Sequence, residues 1–180
     1  MRERLLTIAV MAGICGAGIA VAWWLRYTNA PPTPEEYMAR MGEGAKIIGP
    51  GELAFEGRTF SCGRRPTLLA SKFSDYAAAF PGFLIVNPDR FARLTPILQL
   101  YAYTHECGHQ FVGRDEESAD CYAIDRGMAD GWLDANGLEE ICAFISRSPG
   151  DLRHPPGVGR CAVMRVCFSR ARPGREQPAK

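Results

Sequence analysis

Residues 5–25 form an unbroken run of 21 residues without a charge, bounded by Arg4 and Arg26. A helix rising ~1.5 Å per residue needs ~20 residues to cross a ~30 Å hydrocarbon layer, so this run predicts a membrane-spanning anchor. Only the sequence beyond it is then left to fold in water. Arg2 and Arg4 precede the run, and basic flanks stay on the cytoplasmic side, which makes residues 1–4 cytoplasmic and places everything after Arg26 outside. Trp23 and Trp24 close the run, where indoles favour the headgroup layer, and Pro31 and Pro32 open a stiff spacer. The expectation is a single-pass inner-membrane protein with its C-terminal domain in the periplasm or outside the cell. A secreted chain, cut as a signal segment near Ala22, is the alternative.

The cysteines fit that topology. Of seven, Cys15 lies in the apolar run, leaving Cys62, Cys107, Cys121, Cys142, Cys161 and Cys167 as an even set of six. Three disulfides are expected in an oxidising compartment, with ~15 connectivities open. No CxxC pair occurs, so neither a thiolate zinc ribbon nor a thioredoxin-type dithiol is supported. A formal net charge of +1 lacks the basic field that nucleic-acid binding relies on, so no nucleic-acid partner is expected. With 47% hydrophobic residues the chain can bury one core. The organisation read from the sequence is a linker and N-terminal extension over 26–65, one domain over 66–170 and a disordered tail over 171–180.

Local signals outline that domain. Residues 35–41 suit a short helix, and glycine and proline punctuate 42–51. Short apolar runs with turn residues on either side predict strands at Thr67–Leu69, continuing to Ala70, and at Phe83–Val86. Thr95 as N-cap and Pro96 at the first helical position start a helix that Gly113 stops. Asp115 as N-cap, with Ser118 three residues on, starts a second helix reaching about Arg126. Asn136 as N-cap, with Glu139 at the reciprocal capping position, starts a third that ends at Ser148-Pro149-Gly150.

The first of these helices carries His105-Glu106-Cys107-Gly108-His109, an HExxH pattern. Residues four apart share a helix face, so both imidazoles reach one metal ion, and Glu106 lies beside them to deprotonate its water. On the second helix, Glu116 and Asp120 repeat the spacing with carboxylates. Glu116 can be a third ligand, and Asp120 can hydrogen-bond the outer nitrogen of a ligand histidine. Asp115 is the rival third ligand, although its place suits a helix cap. The third and last histidine of the chain, His154, stands in His154-Pro155-Pro156.

Taken in order, Phe80-Pro81-Gly82 with the strand Phe83–Val86, the helix with Thr104 before HExxH, Glu116 to Asp120, and His154-Pro155-Pro156 followed by Arg160 resemble the gluzincin endopeptidases of the HtpX and prenyl-protein protease type. The likeness spans about residues 66 to 165. It implies an α+β, zincin-like domain with one Zn2+ per chain, held by His105, His109 and Glu116. It implies Glu106 as the base that activates water, Asp120 as the outer acid, and His154 or Arg160 steadying the oxyanion. A peptide or protein substrate would lie along an edge strand formed by Phe83, Leu84, Ile85 and Val86. The chain departs from that family in two ways: only six residues separate His109 from Glu116, and one N-terminal segment leaves no membrane-embedded chamber. The rival from another class is a catalytically silent module in which zinc is structural and the surface binds an envelope partner.

Overall fold

Two apolar faces on one strand organise the domain. In the computed structural model, which describes residues 31–152 and 154–171, β1 (Lys46–Ile48), β4 (Thr67–Leu69), β6 (Phe83–Val86) and β5 (Ala77–Phe80) form a four-stranded sheet in the spatial order β1-β4-β6-β5. Strands β4 and β6 run parallel, and the outer pairs β1–β4 and β5–β6 are antiparallel. Phe83, Leu84, Ile85 and Val86 are all 0% exposed. Leu84 and Val86 join the main core beneath the helices, whereas Phe83 and Ile85 join a second cluster with Leu68, Tyr37, Met38 and Met41. A strand covered on both faces reads as a continuous apolar run, which is why these four residues stood out.

That position corrects the substrate-edge assignment. β6 pairs with β4 on one side and β5 on the other, so Phe83 to Val86 have no free edge to offer, and the free edge on the β6 side of the sheet is β5. The residues read as linker and N-terminal extension include, from Thr33 onward, part of the compact unit: α1 (Pro34–Met41) covers the second cluster, and β1 forms the other edge of the sheet. A hairpin of β2 (Leu53–Phe55) and β3 (Arg58–Phe60) adds Leu53 and Phe60 to the main core.

The rest is helical, so the fold is α+β, a small mixed sheet followed by helices. After the short α2 (Pro88–Phe91) come α3 (Pro96–Val112), α4 (Glu116–Ala129), α5 (Ala135–Ile145) and α6 (Gly157–Ala171). Thr95 caps α3 and Asp115 caps α4 at their expected positions. For α5 the cap is Asp134, whose Oδ1 accepts from Gly137 N–H at 2.8 Å, and not Asn136. Glu139 is then free of any capping role and pairs with Arg165 of α6.

Helix α6 had no apolar period to announce it. Its buried residues, Gly157, Arg160, Cys161, Met164, Cys167 and Phe168, follow helical spacing, yet an arginine, two cysteines and a glycine supply most of the stripe. The helices and the segment before β4 are cross-linked by Cys62–Cys107, Cys121–Cys167 and Cys142–Cys161. Closing loops of this length in the unfolded chain is worth about 3–4 kcal/mol each in the chain-entropy account. Three disulfides fit an extracytoplasmic domain. Among the described residues no helix is long and apolar enough to cross a membrane. The anchor or signal segment at 5–25 lies outside the described residues, as does the tail beyond Ala171.

Gly157 lets α6 start against α5. A Cβ there would stand 1.8 Å from the Ile145 carbonyl oxygen and 2.5 Å from its carbon, both backbone atoms that cannot swing aside. Gly157→Ala is therefore expected to lose more than about 2 kcal/mol of stability, read as a fall in chemical-denaturation midpoint against the parent chain.

Candidate metal centre

Three donor groups meet where α3 ends and α4 begins. His105 Nε2 lies 3.2 Å from His109 Nε2 and 3.3 Å from Glu116 Oε2, and His109 Nε2 lies 3.4 Å from Glu116 Oε1. One ligand atom from each residue lies within 4.8 Å of the others, so the group could hold a metal ion. The two imidazoles each approach a different oxygen of the Glu116 carboxylate, so the three side chains surround a common point.

Local backbone geometry aims both imidazoles. Gly113 ends α3 with φ 81° and ψ −148°, a conformation that a side chain disfavours. Its carbonyl accepts from His109 Nδ1 at 2.7 Å, leaving Nε2 to face inward. On the next turn back, His105 Nδ1 lies 2.9 Å from Asp120 Oδ1. Asp120 is completely buried and also accepts from the Tyr101 hydroxyl at 2.6 Å and from Arg160 Nε and Nη2 at 2.8 and 2.7 Å. Gly108 permits this closeness of α3 and α4, since a Cβ there would already stand 3.2 Å from the Ala119 carbonyl oxygen.

The donor set fits a divalent cation. Both Nδ1 atoms are committed elsewhere, so the two Nε2 atoms face each other and the buried Glu116 carboxylate, whose Oε2 meets His105 Nε2 and Arg160 Nη1 only at 3.3 and 3.4 Å. Glu116 and Asp120 set two carboxylates against the guanidinium of Arg160, and Glu106 adds a third carboxyl beside His105 and His109. A double positive charge at the focus balances them. In its absence protons do that work. Burial pulls the His105 imidazole down, but hydrogen bonds to Asp120 and Glu116 and the nearby Glu106 outweigh it and push it up to about 9. The hydrogen bond to Glu116 likewise raises His109. Burial also works against the Glu116 and Asp120 carboxylates, yet His105 and Arg160 hold both below the usual carboxylate range, with His109 adding to the effect at Glu116.

Glu106 stands apart from the three donors. Burial pushes its carboxyl up, against the pull of His105 and His109, with the nearby backbone of Ala79 on β5 also favouring the charged form. The HExxH face of α3 therefore touches the free edge of the sheet. One turn on, Gln110 accepts from Gly82 N–H and donates to the Phe80 and Phe83 carbonyls, fixing the β5–β6 turn to the helix. Gln110 was missed in the sequence, where its i, i+4 spacing from Glu106 is the signal that could have found it, and Gly113 was read as the helix stop but not as the partner of His109.

The remaining expected site residues divide. His154 stands at the rim, half exposed, with Nδ1 3.1 Å from both Asp151 carboxylate oxygens and Nε2 3.7 Å from Glu116 Oε1. Arg160, expected at an oxyanion, is 8% exposed and engaged with Asp120, with Nη1 3.4 Å from Glu116 Oε2. Asp115 accepts from Ser118 N–H at 2.8 Å as the cap of α4 and is outside the converging group, so the rival ligand is not supported. Phe83 to Val86 are buried in the sheet. Comparison with known protein families, curated proteins and solved structures finds no match.

Protons and the cation compete for the same nitrogens, which sets a pH dependence. The raised His105 value means that the metal-free fold keeps this stabilisation in full below the unfolded value near 6.5 and loses it as pH rises through about 9. Metal binding must displace that proton, so affinity should rise about tenfold per pH unit for each proton released between pH 6.5 and 8.5, measured with zinc-buffered competition titrations. An affinity flat over that window would contradict the His/His/Glu assignment.

Proposed function

We propose that this chain is a zinc-dependent peptidase of the gluzincin kind, tethered by its N-terminal segment and acting on envelope proteins or peptides outside the cytoplasm. The observation that carries the reading is the convergence of His105 Nε2, His109 Nε2 and the Glu116 carboxylate, with Glu106 beside them against the backbone of β5. His105, His109 and Glu116 would hold the ion, leaving a fourth position open. Zinc bound there would polarise a carbonyl and lower the pKa of water toward ~7.

The chain's own residues supply the remaining steps. Glu106 accepts a proton from the attacking water and delivers it to the departing amide nitrogen, a role suited to a carboxyl whose burial raises its affinity for protons. The free edge of β5, not β6, aligns an extended peptide by strand addition. His154, oriented by Asp151 at the rim, donates to the developing oxyanion. Arg160 acts through Asp120 and His105 and is a positioning residue.

Two substitutions separate binding from chemistry. In the purified chain, Glu106→Gln should keep one zinc by mass spectrometry while hydrolysis of a mixed-sequence peptide library falls by at least ~10²-fold. His109→Ala and Glu116→Ala should lose both zinc and turnover. A parent chain that binds zinc but cleaves no peptide would favour the catalytically silent module.

A further inference from the structure

Each functional segment of the site has a disulfide cysteine inside it or next to it. Cys107 lies between Glu106 and His109 on α3, Cys121 follows Asp120 on α4, and Cys161 follows Arg160 on α6. Their partners are Cys62, Cys167 and Cys142. Cys62, Cys107, Cys142, Cys161 and Cys167 are buried, whereas Cys121 is partly exposed. Thiol–disulfide exchange needs a thiolate to reach a sulfur atom, so Cys121–Cys167 is the bond that a reductant in water meets first. Among the described residues it is also the one covalent tie between α4, with Glu116 and Asp120, and α6, with Arg160.

We propose that the Cys121–Cys167 disulfide controls metal occupancy of the His105/His109/Glu116 site. The proposal rests on reading that group as a metal site. A dithiol reductant supplies two electrons and two protons, the S–S bond breaks to give two thiols, and the dithiol leaves as its own disulfide. Helix α6, still bonded to α5 through Cys142–Cys161, then loses its covalent tie to α4 and shifts against it. Arg160 donates to both oxygens of Asp120, and Asp120 in turn faces His105 Nδ1. Asp120 has no exposure, so water does not replace a lost guanidinium. Movement of α6 leaves that carboxylate short of donors and His105 without the partner that aims its Nε2. The reverse exchange with a disulfide oxidant closes the bond and restores the site, so the chain takes up metal after oxidation and not before.

The test uses the full-length chain, oxidised and loaded with zinc. Graded dithiothreitol is followed by alkylation of free thiols, with mass spectrometry locating the labels, a chromophoric chelator reading zinc release, and far-UV circular dichroism reading the fold. Cys121 and Cys167 should be labelled first, and zinc affinity should fall by ~10–100-fold, the range for losing an outer hydrogen-bond partner of a metal ligand, while the helical signal is retained. The double variant Cys121→Ala/Cys167→Ala should show the same fall. Labelling of either other pair first, or an affinity within about threefold of the oxidised chain once Cys121 and Cys167 are labelled, would overturn the proposal. If the double variant does not fold, the reduction series on the folded chain decides. An oxidised parent that binds no zinc would instead sink the metal-site reading itself.

Discussion

The carboxylate of Asp120 is the charge on which the site's geometry depends. It has no contact with water, and it is met by Tyr101 and His105 from α3 and by the guanidinium of Arg160 from α6. A buried carboxylate is tolerated only with such a full set of donors, because its desolvation is otherwise worth several kcal/mol. The three helices are therefore held in one relative placement by a single side chain. That placement is what brings two imidazoles and Glu116 to a common focus. The packing of the helices and the chemistry of the focus are consequences of the same interaction.

Covalent ties reinforce it. The main core contains many aromatic and aliphatic side chains, but the layer around the site is made of arginine, cysteine, glycine and carboxylates, which bury little apolar area. Three disulfides offset that deficit by restricting the unfolded chain. They also stiffen the elements that carry the donors. A polar interior of this kind is best kept where its members cannot drift apart, because a half-satisfied network is worse than none.

Much of the centre could be read from the sequence because helical spacing is a short-range rule. His105 with His109, and Glu116 with Asp120, are each four apart, and Thr95 and Asp115 mark where their helices begin. What could not be read was what depends on the neighbours of a strand. Phe83 to Val86 look alike at an edge or in the middle, since an uninterrupted apolar run records only that both faces are covered. Helix α6 was missed because its buried stripe is written in Arg160, Cys161 and Cys167, residues that carry no hydrophobic period until their partners are known. The resemblance offered Arg160 as a residue at the oxyanion, and its pairing with Asp120, 40 residues earlier, could not be read from local spacing.

The connection between α3 and α4 is short, running from Gly113 through Asp115. Within it Gly113 turns its carbonyl back onto His109, and Asp115 caps the helix whose first residue is Glu116. Ending one helix, orienting one donor and launching the next donor are thus a single stretch of backbone. A helical residue advances ~100° about its axis, so one residue more or fewer here would swing Glu116 away from the imidazoles. Loop length at this point sets the angle at which Glu116 meets the two imidazoles. Change by substitution can be absorbed around it, whereas change by insertion or deletion cannot.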